Sequence, residues 1–176
     1  ATSGTTTLTD KTSDYYGIKG GGTFTHNNGT VKYSNGTGYR TPLGITYYDV
    51  EITTGNHYLY STNMGGATID GTTDAGNVRV LGTMEIKDGN MRLYNVTKIY
   101  IHNLIIGDST GSANTAQFDF SNDDQFDGTA IVDNVTIHSD GQLLFGDGDE
   151  TSATVGSSAL EVRGAFRNLG GSVSIT

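Results

Sequence analysis

The stretch Val78 to Ile106, VRVLGTMEIKDGNMRLYNVTKIYIHNLII, constrains the fold more than any other. Its apolar residues come in alternating pairs: Val78 and Val80, Met84 and Ile86, Met91 and Leu93, Ile99 and Ile101, Leu104 and Ile106. Arg79, Glu85, Arg92 and Tyr100 stand between members of the first four pairs, so each run reads as a short period-two strand with one wet face. A new apolar pair every six or seven residues on average is too quick a beat for a meander, whose strands of about five or six residues also need turns. It suits a β-solenoid, in which three short strands make one coil and inward side chains stack on those of the next coil.

A second count points the same way. Asn95-Val96-Thr97 recurs as Asn134-Val135-Thr136, and Leu104-Ile105-Ile106-Gly107-Asp108 recurs as Leu143-Leu144-Phe145-Gly146-Asp147, both offset by 39 residues. Two coils of about 20 residues would give that spacing. The expected fold is therefore all-β, a parallel β-helix with about 20-residue, three-strand coils. The 26 glycines and single proline fit a chain of many tight turns. No stretch carries the i, i+3, i+4, i+7 pattern of a helix.

Residues 1–21, rich in Thr, Ser and Gly, read as an N-terminal arm or cap, and 22–176 as the solenoid domain. A solenoid needs a cap because its end strands leave backbone groups unpaired. The close, ALEVRGAFRNLGGSVSIT, stops in mid-pattern, which points to a longer parent chain or to a last coil that stacks on something else. Asn28-Gly29 and Asn35-Gly36 read as turns, with a hairpin as the rival reading. Pro42 is expected outside the ladder. Tyr47, Tyr48, Tyr58 and Tyr60 read first as cross-strand packing, with an outward aromatic row as the alternative.

A formal charge of −9 works against nucleic acid or an anionic membrane as partner. There is no cysteine, hence no disulfide and no thiolate metal site. No run approaches the roughly 18 apolar residues of a membrane span, and ATSGTTTLTD lacks the features of a secretion signal.

Several motifs could carry chemistry. Gly107-Asp108-Ser109-Thr110-Gly111 fits the pattern of a nucleophile elbow, but an elbow needs a helix after the serine, and SANTAQFDF reads as loop and strand. The turn reading is preferred. Asp119, Asp123, Asp124 and Asp127, and separately Asp147, Asp149 and Glu150, are read as solvated turn carboxylates. The alternatives are a carboxylate pair for glycoside cleavage or Ca²⁺, for which Asp147, Asp149 and Glu150 are the better set. His26, His57, His102 and His138 read as scattered outward residues without a common zinc geometry. Asn28, Asn35, Asn95 and Asn134 meet the Asn-x-Thr glycosylation pattern and are read as turn residues. No catalytic, cofactor or metal-binding residue is assigned.

The phrase GGTFTHNNGTVKYSNGTG, the central strand–turn series, GDSTGSANTAQFDF and VTIHSDGQLLFGDGDETSATVGSSALEVRGAFRNLGGSVSIT resemble the right-handed parallel β-helix repeats of phage virion structural proteins, tail and decoration components included. The resemblance spans about residues 22–176. It implies an enzymatically inert structural protein on the virion surface, a capsid decoration or a tail or fibre component. Partners would be other virion proteins, or further copies as in a trimer. A carbohydrate-binding or carbohydrate-cleaving spike that meets a host glycan is the alternative, and a secreted or cell-surface bacterial adhesin domain is the third.

Overall fold

The computed structural model describes residues 4–9, 25–34, 45–60, 67–74, 76–94, 96–120, 128–145 and 159–175. Among these residues there are sixteen strands and no helix. The first seven are β1 (Thr5–Thr9), β2 (Thr30–Ser34), β3 (Thr46–Tyr47), β4 (Asp49–Thr54), β5 (Asn56–Tyr60), β6 (Ala67–Ile69) and β7 (Thr72–Asp74). The centre holds β8 (Asn77–Ile86), β9 (Gly89–Tyr94), β10 (Lys98–Ile106), β11 (Ala116–Asp119), β12 (Thr129–Ile137) and β13 (Gly141–Phe145). The chain closes with β14 (Ala159–Val162), β15 (Phe166–Asn168) and β16 (Ser172–Ile175).

Two large sheets share these strands. One runs β1-β2-β4-β8-β10-β12-β14, with β3 also on β8 and β15 also on β12; the other runs β16-β13-β11-β9-β5. Every pairing within them is parallel. From β8 onward the chain alternates between them: β8, β10, β12 and the β14–β15 pair lie in the first sheet, β9, β11, β13 and β16 in the second. A parallel neighbour demands a crossover, and here the opposite sheet supplies it.

Alternation decides which side chains meet. In the first sheet Val50, Met84, Leu104, Val135 and Phe166 occupy one register row, and Val78, Ile99, Ala130 and Leu160 another. In the second, His57, Met91, Phe118, Leu143 and Val173 align. The buried apolar members of these rows belong to one hydrophobic cluster, with Leu160 and Val162 packed partly buried against it. Each fully buried Val, Leu, Ile or Met contributes roughly 1.5–3 kcal/mol of transfer free energy.

The structure departs from the sequence reading in three ways. First, Val78/Val80 and Met84/Ile86 lie in one ten-residue strand, β8, instead of two, as Ile99/Ile101 and Leu104/Ile106 share β10. The register of β8 on β10 shifts between Ile101 and Asn103, so that Leu81 and Gly82 stand opposite His102. A bulge turns the strand without ending its ladder.

Second, the spacing between equivalent residues is not constant. It is 19 residues from Val31 to Val50, 21 from Val78 to Ile99, 31 from Ile99 to Ala130 and 34 from His57 to Met91. Third, the 39-residue repeat is not structural: Val135 pairs with Leu104 in β10, not with the Val96 segment, and Leu104 and Leu143 lie in different sheets. Inward stacking sets the register, and connecting loops absorb the differences in length.

A short antiparallel hairpin, β6–β7, interrupts this pattern. Asp70 and Gly71 at its tip have φ of 51° and 80°, the conformation a two-residue hairpin turn needs. β6 packs on β8 and β10, and Ala67, Ile69 and Ile131 are buried outside the main cluster. At Asn28-Gly29 a turn forms, with Asn27 and Asn28 at φ 45° and 55°, but no hairpin follows because β2 pairs in parallel on both sides.

Candidate functional site

Two polar clusters stand on the strand framework. The first lies outside the first sheet, where Tyr100, His102 and Asp133 come from the adjacent strands β10 and β12. Asp133 Oδ2 accepts hydrogen bonds from Tyr100 Oη at 2.6 Å and from His102 Nδ1 at 2.7 Å. The Arg79 guanidinium, one strand further along, lies 5.4 Å from the Tyr100 ring centroid, a cation–π contact. Its Nη1 reaches the Thr68 carbonyl of the hairpin at 3.4 Å. On the other side Arg163 pairs with Glu161 at 2.9 Å and with Asp70 of the hairpin at 3.4 Å.

Burial acts to raise the pKa of Asp133, but hydrogen bonds from Tyr100 and His102 and the charges of His102 and Arg163 outweigh it and hold the carboxyl below its ordinary value. Burial raises the Tyr100 phenol, and the Asp133 carboxylate raises it further. Tyr100 therefore acts as a hydrogen-bond donor at neutral pH rather than as a base. Ring, guanidinium, imidazole and carboxylate on a half-exposed face can meet the faces and hydroxyls of a sugar.

The second cluster is the turn after β10. Asp140 is 1% exposed, and its carboxylate accepts hydrogen bonds from the backbone N–H groups of Ser109 at 2.9 Å, Gly111 at 3.0 Å and Asp108 at 3.3 Å. Desolvation pushes the Asp140 pKa up, and these bonds overcome it to leave a lowered value. They hold Ser109 at φ 67° and Gly107 at φ 83°. A Cβ on Gly107 would fall 2.1 Å from Asp140 Oδ1, so the turn needs glycine there. Ser109 Oγ lies 2.9 Å from His138 Nδ1. β11, not a helix, follows the turn, so the motif is not a nucleophile elbow.

The four histidines have different settings. His57 is fully buried, against the expectation of an outward position, because it is the first member of an inward row. Its Nε2 is 2.8 Å from the Thr54 carbonyl, and Tyr33 meets its ring edge-on at 5.8 Å. Tyr47 is also fully buried, with its hydroxyl 3.4 Å from that of Tyr33. His26 stacks on Tyr48 at 5.9 Å. His102 and His138 meet different partners in neighbouring strands, and among the described residues no group of three His, Cys, Asp or Glu side chains could hold a metal.

Of the acidic residues singled out from sequence, Asp119 is buried, with Arg92 Nε 3.4 Å from its Oδ2; it is not a solvated turn carboxylate. Asp123, Asp124, Asp127, Asp147, Asp149 and Glu150 lie outside the described residues, as do Asn35, Pro42 and Asn95. Asn134 is a ladder residue: its Nδ2 donates to Asn103 Oδ1 at 3.0 Å and its Oδ1 accepts from the Ala165 N–H at 3.1 Å. Asp49 serves the same bend from the other side, accepting from the Thr83 N–H at 2.7 Å.

A recess of about 250 Å³ lined by Thr30, Asp49, Glu51, Thr83 and Glu85 falls below the roughly 300–1,000 Å³ of ligand pockets. Its Glu51 is engaged by Lys32 at 3.0 Å and Lys87 at 3.1 Å.

Sequence reasoning missed Tyr100, Asp133 and Asp140, and the pairing of Ser109 with His138. Register was the missing signal: Asp133 faces His102 only because the β10–β12 offset is 31 residues. Comparison with protein-family models, curated proteins and solved structures finds no match to this chain.

Proposed function

We propose that the chain is a β-solenoid that serves as a rigid structural component of a virion, a capsid decoration or a tail or fibre element working through protein–protein contacts. The observation that carries this reading is the set of register rows that cross the sheets with every neighbour parallel. Each turn of chain buries its apolar face only against the turns beside it, which makes a stiff body and leaves the ends for contact. The apolar row from Val50 ends at Phe166, 46% exposed, beside Leu169 at 56%. The virion assignment rests on the sequence resemblance. The −9 charge keeps copies apart in solution except where a specific contact forms.

Two measurements test this reading separately. Imaging of the native particle with a bound antibody fragment should place the chain on a capsid or tail; finding it only as a free protein removes the virion role. Hydrogen exchange should protect β8, β10 and β12 together; independent exchange of these strands removes the solenoid.

A second reading has one observation in its favour. Tyr100, Asp133, His102 and Arg79 put aromatic and planar polar groups on one face, which suits a carbohydrate-binding spike. Glycan-array binding that disappears in Y100A and D133A would favour it over a purely mechanical role.

A further inference from the structure

We propose that Ser109 and His138 form a nucleophile–base pair that accepts acyl groups from activated esters. The two residues lie in the turns that follow the neighbouring strands β10 and β12, and the backbone of each is held in place. The Asp140 carboxylate ties down the N–H groups on both sides of Ser109. His138 is fixed by its N–H donating to the Ile106 carbonyl at 2.8 Å and by its carbonyl accepting from Gly141 at 2.9 Å. The 2.9 Å contact between Ser109 Oγ and His138 Nδ1 is therefore preorganised, and Ser109 is exposed to an incoming ester.

With Nε2 carrying the imidazole proton, Nδ1 accepts the hydrogen bond from the serine hydroxyl. Ser109 Oγ attacks the ester carbonyl carbon as its proton passes to Nδ1. The bond to the leaving oxygen breaks, and His138 returns the proton to that oxygen. A serine ester and an alcohol result, and water attacking by the same route releases the carboxylic acid and restores the hydroxyl.

Two features limit the rate. The N–H groups of Asp108, Ser109 and Gly111 point at Asp140 instead of at a developing oxyanion. His138 Nδ1 meets the Ser109 hydroxyl, and among the described residues no carboxylate is paired with His138 to orient its ring. Acylation is expected to outrun deacylation, giving a burst of about one equivalent rather than rapid turnover.

The test uses the full chain and p-nitrophenyl acetate. The expected result is a burst of p-nitrophenolate, with one acetyl group found on Ser109 by peptide mass spectrometry. S109A should abolish the burst, and H138N should slow acylation about 100-fold, the scale of general-base assistance. Matching circular dichroism spectra would establish that both variants fold. A burst that persists in S109A, acetyl groups spread evenly over the exposed serines, or H138N acylated at the parent rate would each overturn the proposal.

Discussion

The two edge strands of the five-stranded sheet contribute to the same inward row, yet their environments are opposite. His57 on β5 opens the row at 0% exposure, and Val173 on β16 closes it at 40%. In the nine-stranded sheet β1 lies outside β2 and sets Thr6 beside Val31, which is 4% exposed, whereas Phe166 in β15 has no further strand beyond it among the described residues and is 46% exposed. Towards the first end Tyr33 and Tyr47 are fully buried with their hydroxyls 3.4 Å apart, and His57 packs against the Tyr33 ring. Towards the other end Phe145 is only partly buried against the cluster and Phe166 is 46% exposed. Stacking protects every row member except those without a following neighbour, so the cost of an open end falls on a few side chains unless a large ring covers them.

The sharpest way to break this comparison is to truncate one ring at each end. Tyr33→Ala should cost about 3–5 kcal/mol in chemical denaturation, the range for a fully buried aromatic. Phe166→Ala should cost less than about 1 kcal/mol because its half-exposed ring has little transfer energy to lose. Equal effects would mean that the ends are not different in kind.

Between the ends the Asp140 turn should be the next most sensitive position. Asp140→Ala leaves three backbone donors without their acceptor and is expected to cost about 2–3 kcal/mol, read by thermal and urea unfolding. It should also flatten the acid limb of stability. The pKa values of Asp140, Asp133 and Glu51 are lowered in the folded chain. Below about pH 4 the unfolded chain therefore takes up protons first, and stability falls as pH drops through the folded values.

The closed end predicts an alkaline limb as well. Burial first, and then Tyr47, raise the Tyr33 pKa well above its ordinary value. Above about pH 10 the unfolded chain gives up that proton while the folded chain keeps it, so stability falls as pH rises, by up to about 1.4 kcal/mol per pH unit for one group. Tyr33→Phe should make this slope shallower. A slope unchanged by the substitution would place the alkaline transition elsewhere.

The smallest stability effect belongs to the open end. Leu169→Ser should shift unfolding by no more than about 0.5 kcal/mol. If the open end mediates contacts, the same change should shift sedimentation towards the monomer at tens of micromolar.

Much of the fold was legible in the sequence. The pairs Val78/Val80 through Leu104/Ile106 all prove inward, because a period-two pattern with Arg79, Glu85, Arg92 and Tyr100 on its alternate positions has one way to face a core. Parallel pairing was legible too, from the pace of those pairs. The Asp70-Gly71 dipeptide is a local hairpin signal too, and the β6–β7 hairpin turns on it. The candidate sites were barely legible. Asp133 and Asp140 are ordinary turn-like aspartates in the chain, and only a 31-residue register brings Asp133 to His102 and carries the following turn onto Ser109.

By itself, then, the sequence determined strand character, the inward set and the absence of helix among the described residues, because these follow from local alternation and turn chemistry. Tertiary structure alone decided how many residues separate stacked neighbours, that β8 and β10 run unbroken through a bulge, and which polar side chains meet across strands. Rung length depends on loops whose closure entropy grows only slowly with added residues, so local pattern leaves it free. Packing of the next inward side chain onto the last sets the register that creates every contact discussed above.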